Sequence, residues 1–383
     1  MFYPFTFEPN YKDYIWGGRR LADFGKKLPE EGNVAESWEL SSHPNGPSVI
    51  ADGALKGRTF QSVIDEFGTD IIGTGLSERD QAKFPLLIKL IDAKDNLSIQ
   101  VHPDDQYAHE HENGEYGKNE MWIVLAAPPN AKLIVGVKDG ITREDFARAI
   151  EDDKVMDSLQ AISVRPGDAI NIPAGMVHAI TGGLVIYEVQ QNSDTTYRVY
   201  DYNRPGADGQ PRELHVDKAL DVINFEEDVH AHFPGLSLVR PFDAGPGTKA
   251  RRLLVANRYF AVEYHKIPHH VTERTDGSRF YAYTVAAGDG TLTYMDEDGA
   301  PQKLQLSIGK TVFIPAALGE YTWDNADGTS TSRPLELICS YIPDWDIMLN
   351  DIKTAGVQPQ QLPVLVGVQP LADSLKELLD NQE

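Results

Sequence analysis

A strand–turn phrase occurs twice in this chain, and the recurrence limits what it can fold into. Residues 165–178 read R-P-G-D-A-I-N-I-P-A-G-M-V-H, and 306–321 read L-S-I-G-K-T-V-F-I-P-A-A-L-G-E-Y. In both, a glycine stands six positions before a proline and I-P-A closes an alternating apolar run. Period-2 alternation marks a strand with one covered face, and Pro and Gly mark the turn after it. Aligned on Pro173 and Pro315, Gly309 falls on Gly167 and Glu320 on His178. The chain is expected to hold two related β units, the second without the histidine. With 383 residues, 41% of them hydrophobic, it can fill two cores. The boundary is placed where Asp, His, Pro and Gly accumulate at 226–250, giving domains 1–235 and 236–383.

The histidine of the first phrase has company. Gln100 and His102 occupy alternate positions of L-S-I-Q-V-H-P, so a strand points both to one face. Glu120 opens the apolar run of G-K-N-E-M-W-I-V-L. Two neutral imidazoles, a carboxylate and an amide oxygen suit a borderline divalent cation, zinc first and other transition ions behind it. Other histidine clusters are rejected as the principal site. His109 and His111 lie in a Glu-rich polar stretch that reads as a solvated helix or loop. His269 and His270, near His265, are adjacent and point to opposite faces of a strand.

Between these motifs the pattern is mostly short strands with a few helices. Helical signals fall at 58–68, near 75–83, from Thr142 onward and from His215 to Phe225. Thr142 can cap its helix, with Asp145 at the third following position. Lys89 lies in F-P-L-L-I-K-L-I-D-A, an apolar run that reads as a buried strand, and 202–215 read as loop. L-A-D-S-L-K-E-L-L-D near the end has the spacing of an amphipathic helix.

Charge narrows the partners. The formal charge is −23, from 35 basic and 58 acidic residues, which argues against nucleic acid and anionic membrane surfaces as partners. An anionic small molecule must then be met by a local basic cluster. A lone cysteine, Cys339, cannot form an internal disulfide, and a reducing cytoplasm is the natural location. M-F-Y-P-F-T-F-E-P lacks the pattern of a signal peptide, and no apolar stretch is long enough to span a bilayer.

The turn P-A-G-M-V-H after G-D-A-I-N-I-P, and the Gln-x-His pair with a later glutamate, resemble the two cupin motifs. In full, the set resembles the type I mannose-6-phosphate isomerases in their shorter bacterial form. The matching stretches are I-K-L-I-D-A with Lys89, L-S-I-Q-V-H-P-D-D with Ser98, G-K-N-E-M with Lys118 and Glu120, I-P-A-G-M-V-H-A, and S-D-T-T-Y-R with Asp194 and Arg198. Trp16-Gly17 and A-E-S-W-E at 35–39 fit as well. The match runs in order from about residue 14 to residue 204 and continues beyond as architecture alone. The long helical insert of eukaryotic members is missing.

The resemblance implies a mainly β fold of two cupin-type jelly-roll barrels with short helices, the second degenerate. It implies interconversion of mannose 6-phosphate and fructose 6-phosphate through a cis-enediol. It implies one divalent ion on Gln100, His102, Glu120 and His178. It assigns Lys89, Ser98 and Lys118 to the substrate, Arg198 to charge stabilisation and Asp194 to the base, with Lys118 or a metal-bound water as substitutes. After the arginine the family usually has Ala-Gly; this chain has Val199-Tyr200-Asp201, and Arg204 stands in for a further lysine. Taken alone, Lys89 also fits an edge-strand lysine reaching solvent, and Arg198 a salt bridge to Asp194 or Asp201. Two other functions suit the ligand set: another metal-dependent cupin enzyme, and a silent sugar-phosphate-binding protein.

Overall fold

A computed structural model of the chain describes residues 2–206, 209–225, 242–243, 250–326 and 333–344. The expected boundary near 235 and the amphipathic helix at 371–380 lie outside the described residues.

The first unit is built from β1 (Tyr11–Lys12), β2 (Glu36–Leu40), β3 (Leu86–Ala93), β4 (Ile99–Val101), β5 (Glu120–Ala126), β6 (Lys132–Val137), β7 (Leu159–Ser163), β8 (Ala169–Ile172), β9 (His178–Ile180), β10 (Leu184–Gln191) and β11 (Tyr197–Tyr200). They form a six-stranded sheet ordered β1-β2-β3-β10-β5-β8 and a five-stranded sheet ordered β11-β4-β9-β6-β7. The second unit has β12 (Phe242–Asp243), β13 (Ala250–Ala256), β14 (Ala261–Ile267), β15 (His270–Arg274), β16 (Tyr281–Ala287), β17 (Gly290–Met295), β18 (Pro301–Leu306), β19 (Thr311–Ile314), β20 (Glu320–Asn325) and β21 (Leu335–Tyr341). Its sheets run β12-β13-β14-β21-β16-β19 and β15-β20-β17-β18, the same order strand for strand, with no counterpart of β11 among the described residues. The fold is mainly β, and the expected pair of jelly rolls is present as open sandwiches. Among the described residues the sheets do not close into cylinders.

Apolar side chains alternate across these strands and fill three layers. One cluster, with Trp122, Ile170 and Ile186, lies between the two sheets of the first unit. Another, with Trp323, Val285 and Leu337, lies between those of the second. A third, with Tyr187, Phe313, Ala282 and Ile338, joins the outer faces of the two six-stranded sheets back to back.

The helices close the edges. α1 (Phe60–Phe67) begins at Thr59, whose side chain accepts from the Ser62 amide. α2 (Thr69–Ile72), α3 (Glu78–Ala82) and α4 (Asp105–His111) follow. At α5 (Arg143–Glu151), Thr142 and Asp145 complete the capping box that the sequence offered. α5 and α6 (Val216–Val222) cover the outer face of the five-stranded sheet through Phe146 and Ala219.

The repeated turns differ in one respect. Gly167 and Gly309 both take positive φ, 91° and 75°. In the first turn the next left-handed residue is Gly175; in the second it is Gly319, two places later relative to the proline. The strand that follows also runs in the other phase. His178 is buried, whereas Glu320 is exposed and Tyr321 and Trp323 face the core. The sequence alignment of Glu320 with His178 holds for the turn, but the residue facing inward is Tyr321.

Candidate metal centre and cleft

Cross-strand register assembles the site on the inner face of the first unit. Gln100 of β4 lies opposite His178 of β9 on one side and Arg198 of β11 on the other. His102 follows β4 at the next inward position, and Glu120 begins β5 in the facing sheet. His102, Glu120 and His178 are each 1% exposed, and one ligand atom from each lies within 4.8 Å of the others.

The two imidazoles have fixed tautomers. His102 Nδ1 faces the Thr195 carbonyl at 2.9 Å and His178 Nδ1 the Met176 carbonyl at 2.8 Å. A carbonyl only accepts, so both Nδ1 atoms carry the proton and both Nε2 atoms present a bare lone pair. Those lone pairs meet the Glu120 carboxylate, at 3.3 Å from His102 and 3.7 Å from His178. His102 Nε2 and Glu120 Oε2 are buried without a hydrogen-bond partner. Acceptors converging on one point call for a cation, and the donor set fits zinc or a neighbouring transition ion. Gln100 has Nε2 3.4 Å from His178 Nε2 and accepts from Ser98 Oγ at 3.3 Å. Turning its amide over offers the oxygen to the same point.

Electrostatics agree with this arrangement. Burial holds His102 neutral, its pKa lowered to about 3, with Lys118 acting the same way. Burial also lowers His178. Glu120 is pushed up by burial, but Lys118 and His102 outweigh this and hold it well below the usual carboxylate range. Lys118 Nζ lies 3.0 Å from Glu120 Oε1.

Lys89 is no edge-strand lysine. It sits in central β3, 4% exposed, 3.2 Å from Glu188 and 3.7 Å from Glu36. Burial disfavours its charge, but Glu36 and Glu188 overcome this and raise it. Indoles orient both carboxylates: Trp38 Nε1 donates to Glu36 at 2.7 Å and Trp122 Nε1 to Glu188 at 2.8 Å. Burial and the nearby Glu120 raise Glu188, against Lys89. Asp194 accepts from Asn45 Nδ2 at 3.0 Å. Burial raises it, but Lys89 and Asn45 prevail and keep it ionised.

A cleft of about 280 Å³ connects these groups. Lys89, Ser98, Lys118, Asp194 and Arg198 all line it beside Gln100, Glu120 and His178. Arg198 makes neither of the salt bridges its sequence context allowed; its Nη1 donates to the Glu213 carbonyl at 2.8 Å. Arg204 pairs with Asp201, and Arg212 lines the cleft instead. Sequence reading assigned no role to Glu36, Glu188, Tyr14 or Arg212, all of which line it. The pairing of Glu188 with Lys89 and Trp122 is a matter of register, with no local signature. The other histidine clusters stay apart: His109 and His111 are exposed on α4, His265 is buried against Glu263, and His270 is exposed beside Asp324.

Comparison with known proteins follows the same lines. Residues 5–127 match the family described as phosphomannose isomerase type I, catalytic domain. The probable mannose-6-phosphate isomerase GmuF of Bacillus subtilis is 36% identical, over 87% of this chain and all of that protein. A mannose-6-phosphate isomerase of Streptococcus mutans is 35% identical, over 85% of this chain and 94% of its own. The crystal structure of a Bacillus subtilis mannose 6-phosphate isomerase superposes with a TM-score of 0.77 at 33% identity, covering 88% of this chain and 99% of that one.

Proposed function

The chain belongs to the type I mannose-6-phosphate isomerase family, and on that premise we propose that its cleft holds one divalent ion, zinc first, on Gln100, His102, Glu120 and His178. The reaction is the interconversion of mannose 6-phosphate and fructose 6-phosphate, in which a proton moves between C2 and C1 through a cis-enediol. The observation that carries the metal reading is the pair of bare Nε2 atoms aimed at one buried carboxylate. When bound, the ion supplies Lewis-acid stabilisation of the negative charge that develops on the sugar oxygens.

The chain's own groups do the rest. Asp194, ionised in the cleft, takes the carbon proton and returns it to the neighbouring carbon. Arg198 stays protonated and adds positive charge beside the enediolate. Lys118 holds Glu120 as an anion, and Ser98 orients the Gln100 amide. Lys89, pinned between Glu36 and Glu188, presents a fixed ammonium to the sugar. With Cys339 as its single cysteine the chain can form no internal disulfide, which supports a cytoplasmic location.

The test is a coupled assay for fructose 6-phosphate from mannose 6-phosphate before and after chelation, with elemental analysis of His178→Ala. Chelation is expected to abolish turnover, and the variant to lose both metal and turnover. Stoichiometric metal and activity in His178→Ala rule out this ligand set.

A further inference from the structure

On the other side of β2 from the catalytic cleft lies a second cavity, of about 330 Å³ against about 280 Å³ for the cleft. That is the lower end of the roughly 300–1,000 Å³ of small-molecule sites. Strand alternation makes β2 the wall between the two: Glu36 lines the cleft, and Ser37 and Glu39 line the second cavity. The opposite wall is formed by residues 307–311, the second unit's copy of the repeated turn. In the first unit the same turn is free, since a Cβ on Gly167 meets nothing, whereas one on Gly309 strikes the Phe24 carbonyl. The cavity therefore lies on the seam and is bounded by both units.

Its polar groups are unevenly committed. Glu39, 7% exposed, accepts from Lys26 Nζ at 2.6 Å, from Ser37 Oγ at 2.6 Å and from Thr311 Oγ1 at 3.0 Å. Tyr11 donates its hydroxyl proton to the Lys27 carbonyl at 3.0 Å, and Thr6 donates to Asp52 at 2.6 Å. The hydroxyl protons of Ser37, Tyr11 and Thr6 are thus used, and their oxygens remain as acceptors. Lys310 is the opposite case. It is half-buried, and its ammonium makes no ion pair or hydrogen bond among the described residues. Burial lowers it, and Asp52 only partly opposes this. Glu8, Lys27 and Asp52 stand at the exposed rim.

One half-buried cation without an anion, beside oxygens that can only accept, defines the chemistry of a ligand. It carries one negative charge for Lys310 and hydroxyl donors for Ser37, Tyr11 and Thr6. A dianion suits the place less, because Lys26 is already neutralised by Glu39, and Glu8 and Asp52 flank the entrance. We propose that the seam cavity is a second ligand site, which takes a small hydroxylated monocarboxylate of the sugar-acid class with its carboxylate on Lys310. Such a ligand touches both units and stabilises the seam between them. None of these groups serves the isomerase chemistry, so binding here stands or falls apart from it.

In calorimetric titrations of the metal-loaded protein, D-gluconate is expected to bind, and D-glucitol, its uncharged counterpart, to bind at least ~10-fold more weakly. Acetate, which keeps the charge without the hydroxyls, also binds more weakly than gluconate. Lys310→Gln lowers gluconate affinity by at least ~10-fold and Lys310→Arg recovers part of the loss, while Lys118→Gln, in the catalytic cleft, leaves that affinity unchanged. Gluconate raises the melting temperature of the parent and not that of Lys310→Gln.

A readout on the parent alone covers the case of a variant that does not fold. Gluconate is expected to protect Lys310 from acetylation by acetic anhydride, scored by mass spectrometry, while exposed Lys303 reacts equally with and without it. Absence of gluconate binding overturns the proposal, as does equal binding of glucitol. Binding lost in Lys118→Gln and kept in Lys310→Gln overturns it too, as does acetylation of Lys310 that gluconate leaves unchanged.

Discussion

Asp194 and Lys118 compete for the role of base, and their surroundings favour the carboxylate. Asp194 is ionised and open to the cleft, whereas the Lys118 ammonium faces Glu120 at 3.0 Å. Asp194→Asn is therefore expected to lower turnover by about 10²–10⁴-fold with metal retained. Near-parental turnover there, with the loss appearing in Lys118→Met, transfers the role to the lysine. Arg198→Lys should cost at least ~10²-fold in kcat, or about 2.7–4 kcal/mol, with the ion still bound; an unaffected rate makes the arginine structural. Asp201 carries a pH signature. Burial raises its carboxyl, but hydrogen bonds from Arg212 and Arg204 prevail and lower it below the ordinary 3.8. A lowered folded value means that its stabilisation is complete above the ordinary value and is lost as pH falls through the folded one. Asp201→Asn should cost about 2 kcal/mol at pH 7, short of a fully buried pair because both guanidiniums stay a fifth exposed. In melting curves the deficit should close only well below about pH 4; a deficit constant down to pH 2 contradicts the pairing. The candidate metal cluster of His102, Glu120 and His178 was legible because a Gln-x-His pair and a P-A-G-M-V-H turn are local patterns. Glu36, Glu188 and Arg212 reach the cleft through register and a returning loop, which no local pattern records.

Elements whose signals lie within one segment match the sequence reading: the capping box of Thr142 and Asp145, the buried run around Lys89, and α6 inside the expected 215–225 stretch. The phase of β20 was not legible, because a slip of one residue within the turn exchanges the alternate residues that face the core, and the shared I-P-A phrase does not record it. The turn before β19 offers a test of how much such glycines matter. Gly309 has φ 75°, and a Cβ there meets the Phe24 carbonyl oxygen at 1.8 Å. Gly25, packed against Ile308, makes the reciprocal approach. Gly299 has φ 76° and open space around it. Both Gly→Ala changes incur the left-handed cost of about 1–2 kcal/mol. Only Gly309→Ala must also separate the two units at this contact, so its melting temperature should fall clearly below that of Gly299→Ala. Equal losses in the two variants show that the contact yields without strain.

At the scale of the molecule the two units share a core. Phe5 exchanges two backbone hydrogen bonds of 2.8 Å with Phe313, so the N-terminal segment extends the second unit's sheet. Phe313 stacks on Phe280 and meets Phe60 and Phe84 edge-on, mixing rings from both halves in one cluster. Tyr187 of β10 and Ser340 of β21 share a hydrogen bond of 3.2 Å across the same layer. Buried Glu39 binds Lys26 within its own half and Thr311 from the other, the latter at 3.0 Å. Every device at this seam is non-local, which explains why the sequence suggested two domains and gave no sign that their outer sheet faces are one interior. Among the described residues the second unit offers no cluster of metal-ligating side chains, and it covers the back of the sheet whose front carries Lys89, Glu120 and Glu188. Each phenylalanine removed from such a layer costs about 3–5 kcal/mol as a Phe→Ala change, and a fragment ending at residue 225 loses Phe260, Phe280 and Phe313 together. That exceeds the usual stability of a whole domain, about 5–15 kcal/mol, at its lower end and approaches it at its upper. The 1–225 fragment is therefore expected to aggregate or to keep strand-type circular dichroism without a cooperative melt or metal binding. A monomeric fragment that melts cooperatively and holds one ion shows instead that the catalytic unit is self-sufficient and that the shared layer formed by docking two finished domains.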